Sequence, residues 1–274
     1  MKRLLVPTDF SEEAEDALKI AAQIAKRHGS DIYLLHLLEM PLYETDAVTT
    51  TPDVPEFMFF MKMARERFQD LVESDYLAGI TVHEVVKADG TFNNMSEISQ
   101  EHQADMIVMG SHGASGFQEM FIGSNAEKVV RTSDIPVLVI KSEDPNFEVK
   151  NMVFASDFKN DNKETYKQAA QIADKFGAQL HLLMVNTPSK FSTTSKAKER
   201  IANFTEDYTY HNQTITIYND ESVEKGILNF SKEIDADLIG ISTHGRQGIA
   251  HFFNGSISED LVNHAKRPVM TFKI

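Results

Sequence analysis

Cysteine is absent from the 274 residues. That excludes a disulfide framework and a thiolate metal site, and a cytoplasmic location is the natural expectation. No apolar run approaches the roughly 20 residues that a membrane-crossing helix needs. No membrane partner is therefore expected, and the opening stretch, Met1 to Asp9, lacks the long apolar segment of a signal peptide and does not read as one. Basic charge is scarce: 27 Lys and Arg stand against 41 Asp and Glu, a formal net charge of −14. The basic residues are scattered, and the bulk field repels polyanions, which argues against nucleic acid. Two nucleotide signatures are missing as well. There is no Gly-x4-Gly-Lys-Ser/Thr loop and no Gly-x-Gly-x-x-Gly after the first apolar segment, which argues against a P-loop ATPase and a dinucleotide oxidoreductase. No Ser/His/Asp nucleophile arrangement is legible either.

What the chain does have, it has twice. Met-Gly-Ser-His-Gly, nine residues and Gly-Ser occupy 109–124, and Ile-Ser-Thr-His-Gly, nine residues and Gly-Ser occupy 241–256. Asp9 matches Asp157, and Gly29–Leu35 matches Gly177–Leu183, both at an offset of 148. Asp105/Asp237, Gly113/Gly245, Gly123/Gly255 and Pro136/Pro268 keep an offset of 132. The difference, 148 − 132 = 16, puts extra residues in the first half after its second strand, about 39–54, in a Thr-, Pro- and acid-rich stretch that reads as a long loop. The repeat divides the chain into domains 1–142 and 149–274. The acidic, Pro-containing linker Ser142–Val149 is short enough to favour face-to-face packing over independent tumbling.

Each half reads β-α-β-α-β-α-β-α-β. Strands are predicted at Arg3–Val6, Ile32–Leu38, Ile80–Val86, Asp105–Met109 and Val137–Ile140. Helices are predicted from Ser11 to Gly29, Phe57 to Leu77, Met95 to His102 and Ser124 to Arg131. The second half repeats the plan, with a last helix at Ser256–His264 and a last strand at Val269–Phe272. The expected fold class is therefore α/β: two doubly wound, five-stranded parallel-sheet domains in tandem, with helices on both faces. The stretch Phe57–Met63 suits a helix core or a hydrophobic partner surface; core is the plainer expectation. Glu12, Glu13 and Glu15 read as a solvated helix face.

Strand, glycine loop and helix start is an arrangement that presents backbone N–H groups to a phosphate. Gly110 would let the chain turn off the strand end, and Gly113 and Gly123 would let a ligand approach the main chain. Ser124 is a candidate N-cap or phosphate donor. Asp9 follows the first strand and so lies at the carboxyl edge of the sheet, suited to a nucleoside hydroxyl or amino group; capping the next helix is the alternative, and the two roles can coexist. His112 and His244 sit inside the loops, where ordering the loop is a simpler role than catalysis or metal binding. The first loop carries no Lys or Arg to offset charge in phosphoryl transfer, so any ATP hydrolysis is expected to be slow.

Gly-x2-Gly-x9-Gly-Ser, together with Val-Pro-Thr-Asp-Phe-Ser at 6–11 and Leu-Leu-His-Leu at 34–37, resembles the universal stress protein family, and the duplication resembles a tandem member. The resemblance implies the adenine nucleotide alpha hydrolase-like fold and binding of ATP or AMP, with Mg2+ bridging the phosphates. Carried over by position, Asp9 and the Leu37 main chain would meet the adenosine end, and Pro7 and Thr8 would shape the wall. Met109, Gly110, His112 and Gly113 would lie along ribose and phosphates, and Gly123, Ser124 and Asn125 would hold the phosphates. The matching positions of the second half are Asp157, Val185, Gly245, Gly255 and Ser256. There Ser242 replaces the first glycine, and nucleotide binding is expected mainly in the first half. The resemblance further implies that Val137–Ile140 pairs antiparallel with Val269–Phe272 in an intramolecular pseudo-dimer. It leaves open a homodimer and an unidentified protein partner. A nucleotide-dependent sensor or regulator is the leading reading; a scaffold with empty pockets and a slow ATP hydrolase are the alternatives.

Overall fold

The computed structural model describes residues 1–38, 54–87, 92–111, 123–159, 163–243 and 265–274; for 54–57 and 93 this extends to the backbone alone. In chain order the first half gives β1 (Arg3–Pro7), α1 (Glu12–His28), β2 (Asp31–Leu37), α2 (Val54–Val72), β3 (Val82–Lys87), α3 (Met95–Glu101), β4 (Met106–Gly110), α4 (Ser124–Thr132) and β5 (Val137–Ile140). The second gives β6 (Asn151–Ala155), α5 (Lys163–Phe176), β7 (Gln179–Asn186), α6 (Thr194–Thr205), β8 (Gln213–Asn219), α7 (Val223–Glu233), β9 (Leu238–Thr243) and β10 (Val269–Lys273). The predicted last helix, Ser256–His264, lies outside the described residues, as does most of the long loop after β2.

Local chemistry sets the element ends. Ser11 accepts the Ala14 N–H at the start of α1, acids fill the first turn, Lys26, Arg27 and His28 fill the last, and Gly29 closes the helix in the left-handed region at φ 64°. The second helix departs from expectation. It starts at Val54 and stops at Val72, and a separate 3-10 turn covers Asp75–Leu77. Its Met-Phe stretch is not core: Met58 and Phe59 are 60% and 57% exposed, while Ala64 and Phe68 make the inward face.

The strands form one sheet in the order β3-β2-β1-β4-β5-β10-β9-β6-β7-β8. Alternate residues serve opposite faces. Leu4 and Val6 join a core covered by α1, α2, α5 and α6; Leu5 joins one covered by α3, α4 and α7. Neighbouring strands run parallel except β5 and β10, which pair antiparallel with Met270 opposite Leu138. Those two residues are repeat mates (138 + 132 = 270), so a pseudo-twofold axis normal to the sheet passes between them. The halves thus join edge to edge, not face to face, because each final strand has an open edge that the other satisfies. The linker is pinned on α1. Phe147 N–H donates to Gln23 Oε1 at 2.9 Å, Arg27 Nη2 donates to Phe147 O at 3.0 Å, and Phe147 and Val149 are buried.

Candidate functional site

In the first half the strand order reverses between β1 and β4, and open α/β sheets bind ligands beyond the carboxyl ends at such a point. Here the two strands separate. Their pairing stops at Leu5–Ile107, although β1 stays on β2 through Pro7–Leu35 and β4 stays on β5 through Gly110–Ile140. Proline explains the gap. Asp105 N–H donates to Arg3 O, whereas Thr8 N–H donates to Leu35 O, so odd positions of β1 face β4 and even ones face β2. Pro7 therefore lacks the N–H that would continue the ladder toward β4. In the second half the equivalent residue is Ala155, and β6–β9 pairing continues to Ala155–Ile241, two residues further in repeat terms.

The β1 edge of the crevice is a tight turn. Phe10 N–H donates to Thr8 Oγ1 at 3.0 Å, and Asp9 Oδ1 accepts from Ser11 N–H at 3.1 Å and Ser11 Oγ–H at 2.5 Å. Asp9 thus does not cap α1; it fixes Ser11, which does. Phe10 sits at φ 63°, a left-handed conformation unusual for an aromatic residue. Its ring lies 4.5 Å from His36 and 5.4 Å from Phe68, and His36 Nδ1 is 2.8 Å from Thr8 O. This Phe10–His36–Phe68 group buttresses the turn and was not among the sequence candidates. The signal was there in the Asp-Phe pair repeated at 9–10 and 157–158.

The β4 edge begins at Gly110. Its glycine is required by packing rather than by a turn. A Cβ there would lie 2.6 Å from the Glu13 carbonyl oxygen in the first turn of α1, and the residue belongs to the strand. Ser111 is buried, its N–H on Ile140 O and its carbonyl accepting the Gly123 N–H at 2.7 Å. That bond ties together the two ends of 112–122 and sets the start of α4 beside β4. Gly123, not Ser124, is the N-cap, and it brings no side-chain hydrogen bond to the helix start. Ser124 is its exposed first residue and Asn125 its half-buried second. The first N–H groups of α4 and its dipole are suited to an anion at this end of the sheet.

Pro7, Thr8, Asp9, Gly110, Gly123, Ser124 and Asn125 therefore converge at the carboxyl end of β1 and β4. Leu37 ends the adjacent β2. Met109 reaches the same level, but its side chain is buried in the α3–α4 core, which leaves only its main chain to a ligand. His112, Gly113, His244, Gly245, Gly255 and Ser256 lie outside the described residues.

In the second half the Phe158 turn is repeated, with its N–H on Ser156 Oγ at 3.0 Å and Lys159 N–H on Asp157 Oδ1 at 3.2 Å. Here, however, Lys159 Nζ also pairs with Asp157 Oδ2 at 2.8 Å. Ser242, which stands where the first half has Gly110, lies within β9 and not in a turn, its hydroxyl 2.7 Å from Thr165 Oγ1. The Val185 side chain is packed against Gly226 of α7, where an added Cβ would come within 2.5 Å of it.

A tandem doubly wound sheet with a switch point in each half is the class of protein these features define. The sequence model of the universal stress protein family matches residues 1–141 and again 148–273, and the chain belongs to that family. Two universal stress proteins of Methanocaldococcus jannaschii are 27% and 29% identical to it, each over 51% of this chain and over 82% and 94% of their own lengths. A universal stress protein of Mycolicibacterium smegmatis is 22% identical over 98% of this chain and 96% of its own. Among solved structures, a universal stress protein from Archaeoglobus fulgidus superposes with a TM-score of 0.72 at 24% identity, covering 99% of this chain and 98% of that one.

Proposed function

We propose that the first half binds an adenine nucleotide, ATP or AMP, in the crevice between β1 and β4, and that the protein acts as a cytoplasmic nucleotide-dependent sensor or regulator. The observation that carries this reading is the parting of β1 from β4 beyond Leu5–Ile107, with the Gly123-headed start of α4 on one side and the braced Asp9 on the other. The α4 N–H groups suit a phosphate chain and the Asp9 carboxylate suits the ribose or base. Among the described residues no group of three or more His, Cys, Asp or Glu could form a metal cage, so we assign any Mg2+ to the phosphates it would arrive with. Among them, too, no helix is long and apolar enough to cross a membrane.

A second reading applies to the other half. The continued β6–β9 pairing, the Lys159–Asp157 ion pair and the Ser242–Thr165 contact favour a structural role there. We take 1–142 as the nucleotide domain and 149–274 as its structural partner. Calorimetric titration of the full chain with ATP and with AMP tests both readings. One saturable site per chain is expected; no saturable binding of either nucleotide would refute the first reading, and two equal sites the second.

A further inference from the structure

The repeat that relates β5 to β10 also relates the residues at their ends. Lys273, at the end of β10, crosses to the turn before β5, where its Nζ donates to Asp134 Oδ1 at 2.5 Å and to Thr132 O at 3.4 Å. The hydrogen bond from Lys273 holds the Asp134 carboxyl below its usual range. Adding 132 to Lys141 gives Lys273, and adding 132 to Asp134 gives Lys266. The symmetry-related contact therefore faces Lys141 with a lysine where its mate has an acid.

Lys141 and Lys266 line one cleft of about 380 Å3 between the connector after β5 and the turn before β10. The acids of that cleft are engaged elsewhere. Glu143 pairs with Lys19 at 3.6 Å, Glu148 with Lys150 at 2.8 Å and Asp235 with Arg267 at 3.0 Å. Asp237 accepts the backbone N–H groups of Lys150 and Asn151, and Asp144 Oδ1 accepts that of Asn146. Among the described residues Lys141 has neither hydrogen bond nor ion pair. Burial without a counter-ion penalises its ammonium and lowers the pKa to about 8.

We propose that Lys141 is a modification site: its amine, reached through this cleft, is acylated by small acyl phosphates in preference to the other lysines of the chain. The neutral Nζ adds to the carbonyl carbon, forming the C–N bond. The C–O bond to phosphate then breaks, phosphate leaves with the electron pair, and the nitrogen sheds its extra proton to water. The product is a neutral amide, which removes the half-buried, uncompensated charge.

The test uses the full chain, acetyl phosphate at pH 7.4 and peptide mass spectrometry over time. A pKa near 8, against the ordinary lysine value of 10.5, raises the free-amine fraction about 200-fold at this pH, and lower basicity takes back part of the gain, so Lys141 should acetylate at least about tenfold faster than the exposed Lys62. Its rate should level off above pH 8. Lys266→Glu places an acid where Asp134 stands in the mate contact; it should slow Lys141 at least about fivefold and leave Lys62 unchanged. Labelling of Lys141 no faster than Lys62, or an unaltered Lys141 rate in Lys266→Glu, would overturn the proposal.

Discussion

Phe10 and Phe158 stand at equivalent positions after the first strand of each half, both left-handed, at φ 63° and 53°. Each N–H is held by the hydroxyl two residues earlier, Thr8 in one half and Ser156 in the other. The backbone device is thus the same twice. Its surroundings are not. Where the first half has Pro7, Ser11 and Gly110, the second has Ala155, Lys159 and Ser242. Each replacement adds a group that the second half uses internally: a strand that stays in the ladder, an ammonium on Asp157, and a hydroxyl against Thr165. A turn that organises a sheet edge survives the loss of the opening beside it, because turn and opening depend on different residues.

Exchanging the residues between halves breaks this comparison most sharply at Gly110. In Gly110→Ser the new Cβ meets a backbone carbonyl that cannot swing aside, and the cost should be about 2–3 kcal/mol in urea unfolding. Ser242→Gly loses the Thr165 contact and adds the backbone freedom of a strand glycine, about 1–2 kcal/mol together. Equal costs in the two directions would mean that α1 and α5 approach the sheet alike.

Asp9 comes next. Asp9→Ala removes an ionised acceptor, which is worth about 1.5–3 kcal/mol, and should weaken ATP binding by about 10- to 100-fold in calorimetry. Asp157→Ala should leave that affinity unchanged. The opposite outcome would move the nucleotide to the second half.

At the other edge of the sheet the halves agree, and a smaller effect should be symmetric. Asp105 Oδ2 accepts from Lys2 and Arg3 N–H as Asp237 Oδ2 does from Lys150 and Asn151, tying paired strands at their start. Either Asp→Ala change should cost about 1 kcal/mol, a figure already reduced for solvent exposure. Burial alone would raise the Asp105 carboxyl, but the Lys2 and Arg3 N–H groups outweigh it and lower the pKa. Its stabilisation is therefore full above the unfolded value of about 4 and is lost as pH falls through the lower folded value. Thermal melts of wild type and Asp105→Ala should converge below that range.

The alternation of strands and helices and the duplication were legible in the sequence because apolar period and repeat offset report on backbone layout; the pairing of the last strands came only with the resemblance to the family. The reason for Gly110 was not, since it depends on where α1 crosses β4. Nor was the exposed Met58–Phe59 surface, because a continuous apolar run carries no facing information. Pro7 was visible as a residue, but its effect needed the knowledge that odd positions of β1 face β4. Pro7→Ala returns that N–H. Stability should change by less than about 1 kcal/mol, since the added bond is offset by a less restricted unfolded chain. ATP affinity should still fall several-fold as the ladder closes; unaltered affinity would separate the opening from proline.

The smallest effect is expected at Lys159. Its pair with Asp157 is solvent-exposed on the lysine side, so Lys159→Ser, which restores the residue found at position 11, should change stability by less than about 0.5 kcal/mol. Its value lies in stoichiometry. If the ammonium is what withholds the Asp157 carboxylate from a ligand, ATP titration of this variant should rise from one site per chain toward two, the second weaker. If the count stays at one, the closure lies in the extended β6–β9 ladder, and Ala155→Pro, which removes the N–H that Pro7 lacks, becomes the change that should open it.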